Sequence, residues 1–498
     1  DCSNSEGFYN QLSMKILFLS SEATGLLKTG GLADVARALP LALRQKGHDV
    51  RLVLPNYLSI ARAQNYSTVV SSLGVPMGDT ELFCAVQLTE LERLPVYLIE
   101  YNDFFLRSHP YEDVAGNPHP DNGERFGFFC KAALQLCLAE NFIPDIIHVN
   151  DWQGALACLY LRNYRTTYSE FAKTRSLLTI HNGGYQGHCS ASAKTFLEIG
   201  DDWFHPAGFE DHGQINLLKG GLRAADQLNA VSVGYAEELK TPLGGHGLHE
   251  SYESRKEVFS GILNGCEYEV WNPANDPYLT SNYDLGNLSG KFECKSALQA
   301  EMGLPEAPEV PLIGIVSRLT GQKGFDFSLP AIAKVLSEQV QFAILGSGER
   351  WIVEEITRLS EMNPEKLQFH DGYNEALAHR IEAGSDFFLM PSLYEPCGLN
   401  QMYSLRYGTL PIVRAVGGLR DTVWENDTSG GNGTGFVFTE PNADDTLAAI
   451  KRGIDCFTND TASFENRMKL GMRQRFSWES TATQYENIYT KALKTPIN

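Results

Sequence analysis

A few short stretches hold side chains whose types and spacing could do chemistry. The segment LLKTGGLADV sets one cation, Lys28, and a glycine pair, Gly30 and Gly31, between the apolar run KILFLS and the helix-like pattern LADVARALPLALRQKG. Glycines at a strand-to-helix turn let backbone come close to a ligand, and a helix N-terminus favours an anion. The plain alternative is a tight turn with a solvated lysine. The segment has neither the GxxxxGK(S/T) nor the GxGxxG pattern of ordinary nucleotide-binding turns. Further on, GIVSRLTGQKGFD places Arg318 and Lys323 five residues apart in a glycine-containing loop after an apolar run. Two such cations suit a diphosphate and would stabilise a phosphate leaving group; a pair of surface charges is the alternative. DFFLMPSLYEPCGLN then runs into Glu395, Pro396, Cys397 and Gly398. A carboxylate there can bind sugar hydroxyls, and the Gly398–Leu399 amides at a helix start can hold phosphate. Glu395 alone would otherwise complement a helix dipole, and Cys397 reads better as a small packing residue than as a nucleophile. In the first half, IIHVNDWQGALA puts Asp151 and Trp152 past one apolar run, and LLTIHNGGYQG puts His181 and Asn182 past the next. An acid, an aromatic face and a histidine at neighbouring strand ends suit a sugar pocket; a lone histidine in such a place is more often structural.

These residues need elements to position them. Apolar runs of strand length recur with helical patterns between them: KILFLS, DVRLVLP, PVYLIE, DIIHVN, SLLTIHN and QLNAVS, then LIGIVS, QFAILGSG, LQFHDGY, DFFLMPS, LPIVRAVGG and GFVF. Continuous apolar strands alternating with helices imply parallel sheets covered on both faces. Ligands of such sheets bind beyond the carboxyl ends of strands, where every stretch above lies. The alternation breaks at about residues 240–310, rich in Gly, Pro and Asn, which reads as an inter-domain connection.

The 498 residues exceed what one core supports, so two large domains are expected. The net charge of -20, from 41 basic and 61 acidic residues, disfavours nucleic acid and anionic membranes as partners. The ten cysteines are scattered without CxxC pairs or zinc spacing, which reads as buried free thiols in a reducing compartment, with no metal. No apolar run approaches bilayer-spanning length. Residues 1–13 are polar and read as a disordered leader or tail.

KTGGLADV, NDWQ, TIHNGGYQG, GILNGCEYEVWNP, SRLTGQKG, PSLYEPCGLNQMYSLRYGTLPIVR and GGLRDTV follow one another along nearly the whole chain. In this they resemble the bacterial glycogen synthases and the closely similar plant starch synthases. The resemblance implies an α/β GT-B fold: two facing Rossmann-like doubly wound parallel-sheet domains with an inter-domain cleft. It divides the chain into an acceptor-side domain at 14–262, a nucleotide-sugar domain at 263–474 and a C-terminal helix at 475–498 packing back on the first domain. It implies transfer of glucose from ADP-glucose to the non-reducing 4-hydroxyl of an α-1,4-glucan, with retention. By motif, Lys28, Gly30, Gly31 and Asp34 form the loop that contacts sugar nucleotide and glucan end. Arg318 and Lys323 bind the donor diphosphate, and Glu395, Cys397, Gly398 and Leu399 hold donor glucose and phosphate. Asp151, Trp152, His181 and Asn182 line the sugar pocket, Asn264 lies near the hinge and the sugar, Tyr373 stacks on the base, and Thr409 joins the substrate-binding set. No DxD triplet suggests a metal, no cofactor is implied, and the setting is cytoplasmic, or the plastid stroma in a plant or alga. Gln153, Gly183–Gly184, Cys266–Glu267 and Val416 depart from the family pattern; the two glycines should loosen the loop after His181. The other readings are a non-catalytic glucan-binding homologue, a UDP-glucose-dependent transferase, and a synthase for small acceptors.

Overall fold

The computed structural model describes residues 13–63, 65–426, 431 and 433–496. Apart from Ser13, the leader expected at 1–13 lies outside the described residues. The chain divides into two compact units. The first holds the described residues up to Ala230, Leu239–Ile262 and the chain from Trp478 on; the second holds Val231–Glu238 and Leu263–Ser477.

The strands of the first unit are β1 (Lys15–Leu19), β2 (Asp49–Pro55), β3 (Ser67–Met77), β4 (Thr80–Leu91), β5 (Leu94–Glu100), β6 (Ile146–Asn150), β7 (Arg175–Ile180), β8 (His188–Cys189), β9 (Glu210–Asp211), β10 (Gln214–Asn216), β11 (Gln227–Ala230) and β12 (Phe259–Gly261). Nine of them form one sheet in the order β12-β11-β7-β6-β1-β2-β5-β4-β3. Pairing is parallel from β12 to β5 and antiparallel from β5 through β4 to β3. The central strands β6 and β7 are buried along their whole length, as strands covered on both faces must be. The hairpin β3–β4 does not follow from the apolar runs. Its first strand is exposed or half-buried over its first six residues, so it lacks the continuous run by which β1, β2, β5, β6, β7 and β11 announce themselves.

The helix Trp478–Lys494 completes this unit. Its Tyr489 hydroxyl lies 2.7 Å from His148 Nδ1 on β6, and Asn229 of β11 donates to Tyr485 Oη at 2.9 Å. Burial holds the His148 imidazole well below its usual range. The ring is therefore neutral, and it joins Tyr489 to Thr179 of β7 through its two nitrogens.

The second unit contains β13 (Leu312–Leu319), β14 (Gln341–Gly348), β15 (Leu367–Asp371), β16 (Phe387–Met390), β17 (Leu410–Arg414) and β18 (Phe436–Phe438). They form a wholly parallel sheet in the order β15-β14-β13-β16-β17-β18, and they are the six apolar runs of the second half. The core beneath them is built from buried residues such as Ile313, Phe342, Ile344, Phe387 and Ile412.

The stretch 240–310 is not a loose connection. Leu239–Ile262 belongs to the first unit, and the chain from Leu263 is docked in the second. Trp271 is stacked between His379, at 3.7 Å between ring centroids, and Tyr403, at 4.2 Å. Asp276 is buried and accepts from the Tyr407 hydroxyl at 2.5 Å, with His379 Nδ1 at 2.7 Å. The glycines and prolines that suggest a linker are the turns of a segment anchored by aromatic stacking and one buried carboxylate. Replacing Trp271 by Ala should cost about 2–3 kcal/mol of unfolding free energy. Denaturant titration of the variant checks this, and an unchanged midpoint would mean the segment is not anchored there.

Candidate functional site

In the first unit β1 lies between β2 and β6, so the chain leaves β1 in one direction along the sheet and β6 in the other. At such a switch point the loops diverge and leave a crevice. Past β1, Glu22 is buried, and its Oε2 accepts from Thr29 N (2.5 Å), Thr29 Oγ1 (2.8 Å) and Gly30 N (3.2 Å). That one carboxylate shapes the turn carrying Lys28, Gly30 and Gly31. Burial pushes the Glu22 carboxyl up against the lowering effect of these bonds, and the charge of Asp34 adds to the rise. Lys28 Nζ pairs with Asp34 Oδ1 at 2.7 Å while its side chain stays 53% exposed. Asp34 sits in the first turn of the helix Gly31–Gln45, whose N-cap Gly30 supplies no side-chain cap. Lysine and uncapped helix start share one loop. Glu22 is not apparent from the sequence; its only signal is an acid just past a strand end.

At the end of β6, Asp151 adopts a left-handed backbone (φ 51°), uncommon for a residue other than glycine. Its Oδ1 accepts from the amides of His181 (2.7 Å) and Asn182 (3.3 Å) past β7. Burial pushes this carboxyl up to about 7, outweighing the two amide bonds, with the charge of Glu22 adding to the rise. His181 Nε2 lies 2.9 Å from Asn150 Oδ1, and Asn150 Nδ2 donates to Leu19 O at 2.8 Å. Since Asn150 presents its oxygen, Nε2 carries the proton and Nδ1 keeps a lone pair. Burial lowers the His181 imidazole to about 3, so the ring is neutral at ordinary pH. It can hydrogen-bond sugar hydroxyls but offers no positive charge to phosphate.

One of the expected sugar contacts in this unit changes. Trp152 offers no open ring face: it is 7% exposed, Phe126 meets it at right angles, and a Cβ on Gly187 would stand 2.4 Å from the indole. Asn182 Oδ1 accepts from the amide of Gly184 at 3.0 Å. The loop after His181 is also less loose than its two glycines suggest. Gln186 Nε2 donates to Gly183 O and to His246 O, and Gln186 Oε1 accepts from Asn216.

In the second unit the switch falls between β13 and β16. A cavity of about 180 Å³ opens there, lined by Arg318, Lys323, Ser392, Glu395, Gly398, Leu399 and Asn400 among others. Lys323 lies in the short turn Gly321–Lys323 after β13, and its Nζ meets Glu395 Oε2 at 2.6 Å. Ser392 Oγ donates to the same oxygen at 2.9 Å. Gly324, which closes the turn, has φ 78°, and a Cβ would stand 2.0 Å from Pro391 O, so only glycine fits. Gly398 is also left-handed (φ 71°) and leads into the helix Asn400–Arg406. Asn400, which nothing in the sequence singles out, ties the two sides of the cavity by donating to Val316 O at 2.9 Å.

Cys397 is buried, and burial pushes its thiol up to about 12, which fits packing and not nucleophilic attack. Asn264 is also buried in this unit, and its Oδ1 has no hydrogen-bond partner among the described residues. Tyr373 follows β15 and is 77% exposed. Thr409 does not join the group. It stands just before β17, at the opposite end of the sheet from the cavity, and its hydroxyl binds Ser385 O and Lys291 Nζ. It braces the base of the strands. Among the described residues, no three His, Cys, Asp or Glu side chains converge to hold a metal ion.

Two family models match this chain: "Starch synthase catalytic domain" over residues 15–254, and "Glycosyl transferases group 1" over 302–470. The second match spans the cavity at β13 and β16, a glycosyltransferase unit by sequence as by fold. Glycogen synthase of Aeromonas salmonicida (strain A449) is 45% identical over 96% of this chain and 98% of its own length. Glycogen synthase of Anaeromyxobacter sp. (strain Fw109-5) is 42% identical over 97% and 100%. The catalytic domain of starch synthase IV from Arabidopsis thaliana, solved bound to ADP and acarbose, superposes with a TM-score of 0.87 at 33% identity, covering 97% of this chain and 100% of that one. The chain belongs to the glycogen and starch synthase family of glycosyltransferases.

The sign of the Asp151 shift makes a test. A carboxyl whose pKa rises on folding, from 3.8 to about 7, stabilises the fold at low pH, and the stabilisation is lost as pH rises through that window. Asp151→Asn keeps an oxygen for the two amides and removes the titration. The variant's unfolding free energy should fall less steeply than the parent's between about pH 4 and about pH 7, since Glu22, also pushed up by burial, still titrates. Denaturant titrations across that range check it, and parallel curves for the two proteins would refute the shift.

Proposed function

We propose that this protein transfers glucose from ADP-glucose to the non-reducing 4-hydroxyl of an α-1,4-glucan, with retention of configuration. The observation that carries the reading is the convergence of Arg318, Lys323 and Glu395 on one cavity at the switch point of the second unit. The likeness to the Arabidopsis thaliana starch synthase domain, solved with ADP and acarbose bound, supports an adenosine diphosphate donor and a glucan-like acceptor.

Arg318 and Lys323 would hold the diphosphate. Lys323 is paired with Glu395, and an incoming phosphate would compete for it. As the bond from glucose C1 to the β-phosphate oxygen breaks, negative charge grows on that oxygen, where fixed cations act most strongly. The acceptor O4 forms its bond to C1 from the same face, and its proton passes to the departing phosphate. Retention by double displacement would need a carboxylate nucleophile. Glu395 already accepts from Lys323 and Ser392, which suits a group that binds sugar hydroxyls. Tyr373, exposed past β15, is the candidate platform for the base, and Asn264 Oδ1 a candidate acceptor for a sugar hydroxyl. In the first unit Lys28 and neutral His181 are the candidates for contact with sugar and glucan. The bacterial sources of the similar glycogen synthases support a cytoplasmic setting.

Incorporation of glucose into glycogen from ADP-glucose and from UDP-glucose tests the reading. ADP-glucose should be the better donor, and β-amylase should release the added glucosyl units as maltose. Lys323→Ala should lower incorporation by about a hundredfold or more while glycogen binding persists. No incorporation from either donor, with glycogen still bound, would overturn the reading in favour of a glucan-binding homologue.

A further inference from the structure

Each carbonyl of the turn from Glu395 to Gly398 is held. Gly418 N donates to Glu395 O at 3.1 Å, Ser232 Oγ to Pro396 O at 2.6 Å, and Gln401 Nε2 to Cys397 O at 3.0 Å and Gly398 O at 3.1 Å. Gly418 and Gln401 come from the same part of the chain. Ser232 comes from 164 residues earlier. It lies just past β11, in the segment Val231–Glu238 that belongs to the second unit although the chain before and after it belongs to the first.

Ser232 is fully buried, and its hydroxyl is used twice: it donates to Pro396 O and accepts from Tyr235 N at 3.0 Å. The segment is tied at two further points. Gly234 N donates to Asp421 Oδ2 at 2.8 Å, and Gly417 N donates to Glu238 Oε1 at 2.7 Å. Asp421 and Gly417 both lie in the helix Gly417–Thr422, whose Gly418 holds Glu395 O. The segment thus grips both the turn and the helix behind it. There is no slack between these two: a Cβ on Gly417 would stand 2.0 Å from Glu395 O.

We propose that Ser232 is a positioning residue for the nucleotide-sugar cavity. Its hydroxyl fixes the peptide plane between Pro396 and Cys397, and so sets both neighbours of that plane at once. On one side stands the Glu395 carboxylate, 2.6 Å from Lys323; on the other stand the amides of Gly398 and Leu399 in the cavity wall. A helix of seven residues, Asn400–Arg406, cannot hold that turn by its own length, and its N-cap Leu399 makes no side-chain cap bond. The strap from the first half of the chain supplies the missing hold. This role rests on the donor site proposed above.

The test compares the full-length protein with Ser232→Ala and Ser232→Thr. Amide hydrogen exchange of peptides covering 394–400 is measured alongside kcat and KM for ADP-glucose and for glycogen. The Ala variant should speed exchange in those peptides about tenfold and raise the KM for ADP-glucose about fivefold or more. The glycogen KM should stay unchanged, and the Thr variant, which keeps the hydroxyl, should restore both readouts. Exchange at the parent rate in the Ala variant would overturn the proposal. So would faster exchange over the whole second unit, unrescued by Thr, which marks ordinary destabilisation. A changed turn with an unchanged donor KM would overturn it as well. If the parent neither uses ADP-glucose nor binds ADP, the functional reading fails instead, and the local exchange still decides whether Ser232 holds the turn.

Discussion

In a parallel sheet every strand ends on the same edge, and right-handed crossovers that leave two neighbouring strands in opposite directions put their helices on opposite faces. The space between those two strand ends is the one place no crossover fills. Both units of this chain are organised around that constraint. In the first, the gap lies between β1 and β6 and collects the Lys28 loop and Asp151; in the second, between β13 and β16, it collects Arg318, Lys323 and Glu395. The ion pair from Lys323 to Glu395 joins the loops after the two strands that border the second gap. Residues far apart in sequence are therefore neighbours because of strand order, before any side-chain packing is considered.

Backbone amides at these edges have lost their ladder partners and must be satisfied otherwise. The first unit satisfies them with carboxylates. Glu22 takes the amides of Thr29 and Gly30, and Asp151 takes those of His181 and Asn182. Both acids are buried, and burial pushes both up; the charge of Glu22 adds to the rise of Asp151. In the second unit the turn after β16 is held by its carbonyls, which need donors: a serine hydroxyl, a glutamine amide and a glycine N–H. Behind it carboxylates again take amides, Asp421 that of Gly234 and Glu238 that of Gly417.

Much of this was legible in the sequence. The six strands of the second sheet are continuous apolar runs, because each is covered on both faces. The hairpin β3–β4 was not, because most residues of both strands are exposed or half-buried. The cations and Glu395 stood out by charge and by place after a run. Glu22, Asn150, Asn400 and Ser232 did not, since their work is to hold main chain, and any short polar residue near a strand end looks alike. Trp152 and Thr409 show the opposite error. Both sit in motif-rich stretches, yet Trp152 is covered by Gly187, and Thr409 lies at the wrong end of its strand. Type and spacing locate a strand end; which side of it faces a cavity depends on contacts from elsewhere in the chain.

The helix Trp478–Lys494 carries Tyr485 and Tyr489 into the first unit, onto β11 and β6. Nascent domains ordinarily fold in the order in which they emerge. Here the first unit is completed only after the second, because its helix Trp478–Lys494 follows all of the second unit's chain in sequence. The second unit has all of its chain by Ser477. Until that helix has been made, His148 and Asn229 have no tyrosines to meet, and the first sheet waits with that face uncovered.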